Sequence, residues 1–442
     1  MRVHSLSSIA LLPVALSIAV ACGGSIDSGA NNTNKDAGAN PNADAAVPTA
    51  DATPVEIDAA PPVPFPAFTP SNSPLVVTSN GPVLKSPRWV PVYFANGDAK
   101  QNAAVTDYLK RVGATNYWAA AVTEYGVGPG VSTDPVQLLA ADNPAASITD
   151  DTIQTWLAAK LNANDPAFPK PDENTIYAIF YPASTDIDLQ GSTSCQSFGG
   201  YHNNITLDGA HQGLDVAYAV MPDCGQFGKQ TGLDALTGTT SHELIEAVTD
   251  PYPSSRPAYS QVDDAHLYWE TFLGGGENGD MCAQFSSSFT KFAELPYTVQ
   301  RGWSNKAVRA GHDPCVPTQP GSVYFNSYPV LNDNVPYSFG GPQSVNVKGV
   351  KIPNGQSATV ELDLYSDAPT SGPWTVNAVD LASQRGQAPQ LKFAFDRKQG
   401  QNGDRINMTI TVVAASARNR ETFIVSSKLN GESHIWLGVV GN

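Results

Sequence analysis

The chain has 442 residues, 41% of them apolar, which is enough to furnish cores for two or three domains. Forty-one acids against 25 bases leave a formal net charge of −16, which argues against nucleic acid as a partner and raises the local concentration of cations. With 37 Gly, 35 Pro and only 15% charged residues, the composition suits a loop-rich, exported β-containing protein better than a helical cytosolic one.

Residues 1–22 read as a signal peptide. Arg2 opens a short basic region, residues 6–20 form the apolar run, and Ala19-Val20-Ala21-Cys22 ends it with small residues. The run is too short, and too soon followed by polar sequence, to be a stable membrane span. Cys22 followed by Gly23-Gly24-Ser25 matches a bacterial lipoprotein signal, in which that cysteine is lipidated, although Ala19 stands where Leu is commonest. The expected location is the cell envelope or surface, held by a lipid anchor, with plain secretion as the alternative. Residues 23–74 are mostly Ala, Asn, Asp, Pro, Thr and Ser with no aromatic before Phe65, a composition that reads as a flexible tether.

Order is expected from Leu75. Residues 82–84 and 89–94 read as strands, and residues 105–112 and 117–122 as helices. Thr149 and Asp150 cap a further helix that runs past Trp156 to Leu161. Residues 175–181 and 216–221 are nearly continuous apolar runs, as in strands buried on both faces, and residues 195–202 read as a glycine-rich turn. Residues 75–318 therefore predict an α/β (or α+β) domain, a sheet with helices packed on it and a motif helix near its middle.

That helix carries Thr239-Thr240-Ser241-His242-Glu243-Leu244-Ile245-Glu246-Ala247-Val248-Thr249-Asp250-Pro251. At about 100° per residue, Glu246, Asp250 and Glu243 fall roughly 40°, 80° and 100° from His242, on one polar stripe. Thr240 or Ser241 is expected to cap the helix start, with Glu243 completing a capping box. Pro251 ends the helix and loosens Asp250 from the stripe. No Lys or Arg lies between Lys229 and Arg256 to neutralise these acids, so a divalent cation is the expected counter-charge. His242 and Glu246, one turn apart, are spaced to reach one metal, and Glu243 is placed as general base toward a water activated by it. The bland alternative is a solvated acidic face.

Further along, Glu277 and Asp280 sit in the loop Gly274-Gly275-Gly276-Glu277-Asn278-Gly279-Asp280-Met281-Cys282 and are the next candidate ligands. Cys195, Cys224, Cys282 and Cys315, an even number in an exported chain, read as two disulfides. The favoured pairing is Cys195–Cys224 and Cys282–Cys315, two loops of similar length flanking the motif helix. From residue 319 to 442, short alternating runs separated by turns predict an all-β, antiparallel immunoglobulin-like sandwich. No Gly-x-Ser-x-Gly elbow supports a serine hydrolase.

Four separated pieces, in order, resemble one family. They are Gly81-Pro82-Val83-Leu84; Cys195 through Gly200-Tyr201-His202; Ser241-His242-Glu243-Leu244 with Glu246; and Glu277 with Gly279-Asp280-Met281-Cys282. Together they resemble the EXORDIUM-like (phosphate-induced) secreted proteins of plants and their bacterial relatives, over roughly residues 75–318, with a zincin-like helix. Asn278 departs from the apolar residue usual there. The resemblance implies a cation surrounded by His242, Glu246 and one or both of Glu277 and Asp280, with His202 a further candidate. The expected function is a surface-tethered metallohydrolase, most plausibly a zincin-like metallopeptidase acting on peptide or protein with Glu243 as base. Zinc is the first choice, with Mn²⁺ or Ca²⁺ open given the hard ligand set. The competing expectation is a non-catalytic extracellular binding or adhesion protein with a structural metal or bare acidic site.

Overall fold

The computed structural model describes residues 63–285, 287–338, 344–414 and 420–441. The signal peptide, Cys22 and most of the tether lie outside the described residues.

Strand β1 (Arg88–Tyr93) leads into helices α1 (Ala99–Val112) and α2 (Asn116–Val122). Two short strands, β2 (Val131–Ser132) and β3 (Val136–Gln137), precede α3 (Asp150–Asn162), which Thr149 caps from its side chain. Then come β4 (Thr175–Tyr181), β5 (Tyr201–Thr206), β6 (Asp215–Pro222) and α4 (Gly232–Thr249). The sheet order is β2-β1-β4-β6-β5, with β3 also beside β1. All neighbours run parallel except β5, which lies antiparallel to β6 at the edge.

Every residue of β4 and β6 is buried, as their apolar runs require of strands covered on both faces. Alternation sorts the two faces. Ile176, Ala178, Phe180, Ala217, Ala219 and Met221 pack with α1, α2 and α4. Tyr177, Ile179, Tyr218 and Val220 pack with Ile153, Leu157 and Leu161 of α3. The result is a three-layer mixed α/β body with α4 on one face of the sheet.

Three local expectations need correction. The motif helix begins at Gly232, so Thr240 and Ser241 are interior residues, not caps. Their hydroxyls bond back to the carbonyls of Leu236 and Gly238, which satisfies them inside a helix. Residues 82–84 form no strand, because Leu84 donates its N–H to Val248 O at the end of α4 instead. His202 stands within strand β5, not in a turn.

After α4 the chain forms α5 (Leu267–Leu273), the single turn α6 (Asp280–Ala283) and β7 (Leu295–Gln300), which packs against α4. Both disulfides join as expected, Cys195 to Cys224 and Cys282 to Cys315. They suit an oxidising compartment. Among the described residues no helix is long and apolar enough to cross a membrane.

The C-terminal part is two sheets enclosing one core. The four-stranded sheet runs Phe325–Pro329, Ser357–Ser366, Arg405–Val412, Leu391–Phe395. The six-stranded sheet runs Asp333–Tyr337, Val345–Lys351, Glu432–Gly441, Arg420–Leu429, Trp374–Asp380, Gln399–Gly400. Leu362, Ile406 and Met408 from the first meet Trp374, Val376 and Phe423 from the second. One pair departs from the antiparallel expectation, since Val345–Lys351 runs parallel to Glu432–Gly441.

The tether expectation also shortens. Residues 63–74 are laid along the body: Ala67 N–H donates to Asn402 Oδ1 at 2.9 Å, Asn402 Nδ2 donates to Pro64 O at 2.8 Å, and Arg405 covers the Phe68 ring.

Candidate metal site

Five carboxylates and two imidazoles converge where α4, β5 and the loop before α6 meet. α4 presents His242, Glu243 and Glu246, and Asp250 ends it in a non-helical conformation, as Pro251 demands. β5 presents His202, which pairs with Ala219 of β6 and so points to the face of the sheet that α4 covers. Its neighbour Tyr201 points the other way, where its hydroxyl and that of Tyr218 donate to Asp150 Oδ1, each at 2.7 Å. That buried carboxylate ties the edge strand to the N-terminus of α3 and fixes the register in which His202 faces the acids.

The glycine-rich loop brings Glu277 and Asp280 from the third side. A Cβ at Gly279 would lie 2.6 Å from Glu246 Oε1 and 2.9 Å from His242 Nδ1, and one at Gly275 would lie 1.7 Å from Asp280 Oδ2. These glycines allow backbone to approach the cluster where any side chain would collide. Asp280 N–H donates to Glu246 Oε1 at 2.9 Å, holding that carboxylate in place.

The separations within the cluster share one scale. His242 Nε2 lies 3.3 Å from Glu246 Oε2 and 3.8 Å from Asp280 Oδ1. His202 Nδ1 lies 3.6 Å from Glu243 Oε2 and 3.7 Å from Glu246 Oε2, and His202 Nε2 lies 3.6 Å from Glu277 Oε1. All but the first are too long for hydrogen bonds. They match the edge of a tetrahedron of donors, about 3.4 Å when each lies about 2.1 Å from a central ion. Among the described residues two groups of three qualify as potential cation ligands, His242–Glu246–Asp280 and His202–Glu243–Glu246, with Glu246 common to both.

Burial makes the crowding costly. Side-chain exposure is 4% for Glu243 and Glu246 and 5% for His202, against 17% for His242, 18% for Glu277 and 26% for Asp280. The site therefore opens to solvent on the side of His242, Glu277 and Asp280. Burial, then the charges of Asp280, Glu277 and Glu243, push the Glu246 carboxyl well above its ordinary range. Burial likewise raises Glu277, Asp250 and Asp280, with the imidazoles opposing. Burial alone would lower His202, but Glu277, Glu243 and Asp250 overcome it and hold its pKa at about 9. Among the described residues, every ion pair of Glu243, Glu246, Glu277 and Asp280 is with a histidine, never with Lys or Arg. His202 Nε2, Glu277 Oε1 and Asp250 Oδ2 are buried without any hydrogen-bond partner. A divalent cation fits this donor set: it supplies the missing positive charge and partners for the orphaned atoms.

One residue escaped the sequence reading. Gln300, at the end of β7, donates from Nε2 to Gly279 O at 2.7 Å, so its Oε1 faces His242 Nδ1 at 3.1 Å. An amide oxygen only accepts, so His242 Nδ1 carries the hydrogen and Nε2 is directed at Glu246 and Asp280. A histidine oriented through its far nitrogen is what a metal ligand needs. Nothing in the local pattern Tyr297-Thr298-Val299-Gln300 signals this role.

No protein-family model and no curated protein matches the chain. Solved structures similar to parts of it include domains 4 and 5 of the S-layer protein SbsC, at 18% identity over 26% of this chain and 52% of that one, with a TM-score of 0.16. The titin M3 domain is similar at 12% identity over 21% of this chain and 85% of that one, with a TM-score of 0.15. The chain thus spans about half the length of the S-layer fragment it matches. Scores this low carry no argument about fold or activity.

Proposed function

We propose that this protein is an exported, surface-tethered metal-dependent hydrolase, a zincin-like metallopeptidase with zinc as the first-choice ion. Cys22 lipidation holds it at the envelope, and the C-terminal sandwich, read as immunoglobulin-like, supports the catalytic body. The observation that carries the reading is His242 Nε2, Glu246 and Asp280 gathered at ligand-like separations on the solvent side of a buried acid cluster.

His242, Glu246 and Asp280 would hold the ion, with Gln300 fixing the ring of His242. When bound, the ion polarises a carbonyl and acidifies water. Glu243, beside these ligands on α4, accepts the proton of the attacking water and delivers it to the departing amine as the C–N bond breaks. The edge of the sheet at β5 offers backbone groups on which an extended peptide can lie. Wild-type chain is expected to hold cation and to cleave unfolded protein, and Glu243→Gln to lose at least about a hundredfold in turnover. A wild type that holds cation yet cleaves nothing across a broad peptide library would instead establish the binding or adhesion reading, which the deep burial of Glu243 and Glu246 favours.

A further inference from the structure

We propose that the site has a second cation position, His202–Glu243–Glu246, whose filling withdraws Glu243 from proton transfer, so that the same metal is required at low concentration and inhibitory in excess. The inference rests on the hydrolase reading above and adds a regulatory state to it.

The two donor groups share one carboxylate and differ in everything else. His242–Glu246–Asp280 lies on the open side, its members partly reached by solvent. His202–Glu243–Glu246 lies deeper, all three side chains at most 5% exposed. An ion entering from solvent meets the open group first. With one ion there, His202 and Glu243 still face Glu246 from the inner side with no ion between them. His202 supplies the independent evidence. It is buried, and its Nδ1 faces Glu243 Oε2 and Glu246 Oε2 at 3.6 and 3.7 Å, beyond hydrogen-bonding reach, while its unpartnered Nε2 faces Glu277 Oε1 at 3.6 Å on the other side of the ring. A buried imidazole nitrogen held 3.6–3.7 Å from two carboxylate oxygens has the spacing of donors around a shared ion.

Glu246 can serve both positions because Oε2 faces both histidines, at 3.3 Å from His242 and 3.7 Å from His202, while Oε1 is occupied by Asp280 N–H. Paired divalent ions in hydrolytic sites stand about 3.5–4 Å apart, a spacing one carboxylate can bridge. The second ion would bind more weakly than the first, since it is added beside an existing positive charge. It would also use Glu243 Oε2 as a ligand, and a carboxylate that ligates an ion is a poor acceptor for a proton.

The test is titration of the full chain, stripped with a chelator, with Zn²⁺ alone, read by calorimetry and by bound metal after gel filtration. Two sequential equivalents are expected, the second at least about tenfold weaker. His202→Gln and Glu243→Gln should each lose the second equivalent and keep the first, and Asp280→Asn should lose the first. In wild type, hydrolysis should rise with the first equivalent and fall with the second. One equivalent and no more overturns the inference while leaving the hydrolase reading standing, and none at all overturns both. A second equivalent that survives in both folded variants, His202→Gln and Glu243→Gln, places that ion elsewhere and also overturns it.

Discussion

Glu277 shows how far electrostatics at single residues shape this molecule. Its ordinary value lies near 4.5, and burial with the charges of Asp250, Asp280 and Glu243 raises it well above that, against the pull of His202. Across that interval the folded chain keeps a proton that the unfolded chain has released, so stability falls as pH rises through it. His202, raised to about 9, acts in the same sense, with its contribution full below its ordinary 6.5 and lost on passing 9. Glu277→Gln removes the acid but keeps the shape. Without cation, the variant should therefore melt close to wild type at pH 5 and above it at pH 7.5. With zinc the order at pH 7.5 should narrow or reverse, because wild type then has its counter-charge. Thermal melts in chelator and in zinc at the two pH values decide it, and a variant that melts lower than wild type at pH 7.5 in chelator contradicts the crowding argument. At this scale the sequence was informative about identity and silent about assembly. His242, Glu243 and Glu246 were nameable from helical spacing, Glu277 and Asp280 from their glycine-rich loop, and His202 only through the family resemblance, and the structure brings all of them together. Gln300 was not, because its role exists only through the fold: it meets a histidine 58 residues away.

Elements fix what residues alone cannot. The motif helix α4 is 18 residues long, and its middle, Thr237-Gly238-Thr239-Thr240-Ser241, has the composition of a turn. It is helical because burial overrides propensity: Gly238 lies under the ring of Phe289, and the hydroxyls of Thr237, Thr240 and Ser241 find carbonyls within the helix. The same override hid strand β5, whose Tyr-His-Asn-Asn-Ile-Thr pattern looks like a loop until its asparagines are paired. Asn204 Oδ1 accepts from Ser254 N–H, and Nδ2 donates to Ser255 Oγ. By contrast, β4 and β6 were legible because strands covered on both faces leave an unbroken apolar run. The contact between α4 and β7 is where packing sets chemistry. Gln300 N–H donates to Ser241 Oγ at 2.8 Å, and Tyr117 OH donates to Gln300 O at 2.6 Å, so the residue that orients His242 is itself clamped. Gln300→Ala should leave the fold intact and weaken the tighter zinc equivalent by about 10–100-fold, the usual cost of losing an outer hydrogen bond to a metal ligand. Gln300→Glu, which keeps an acceptor toward His242 Nδ1, should recover part of that affinity. Equal affinity for all three chains would show that His242 needs no orientation from β7.

On the scale of the whole molecule, the α/β body and the sandwich are not beads on a string. From Val63 onward the chain is one structural unit. An aromatic cluster joins its two parts: Trp436 of the six-stranded sheet packs edge-on against Trp269 of α5 at 5.5 Å and against Tyr328 at 5.1 Å, while Trp269 meets Trp303 at 6.0 Å. Tyr337 OH and Thr271 Oγ1 add a hydrogen bond across the same junction. The strap before β1 crosses it too, since His266 bonds Asn72 O from one side and Ser71 Oγ meets Tyr328 OH on the other. A sandwich tryptophan reads from sequence as core of its own domain, which holds for Trp374 but not for Trp436, because alternation reports that a face is buried without saying by what. This matters for the site, because α5 and the loop to α6 rest on the junction and carry Glu277 and Asp280 beyond it. Trp436→Ala should cost about 3–5 kcal/mol, as truncation of a buried tryptophan usually does. Because the junction is shared, the loss should appear as a single shifted transition in urea, not as early melting of the sandwich alone. Zinc affinity should fall with it. Two separate transitions, with the first confined to the sandwich and zinc binding untouched, would mean that the C-terminal sheets merely hang from an independent catalytic body.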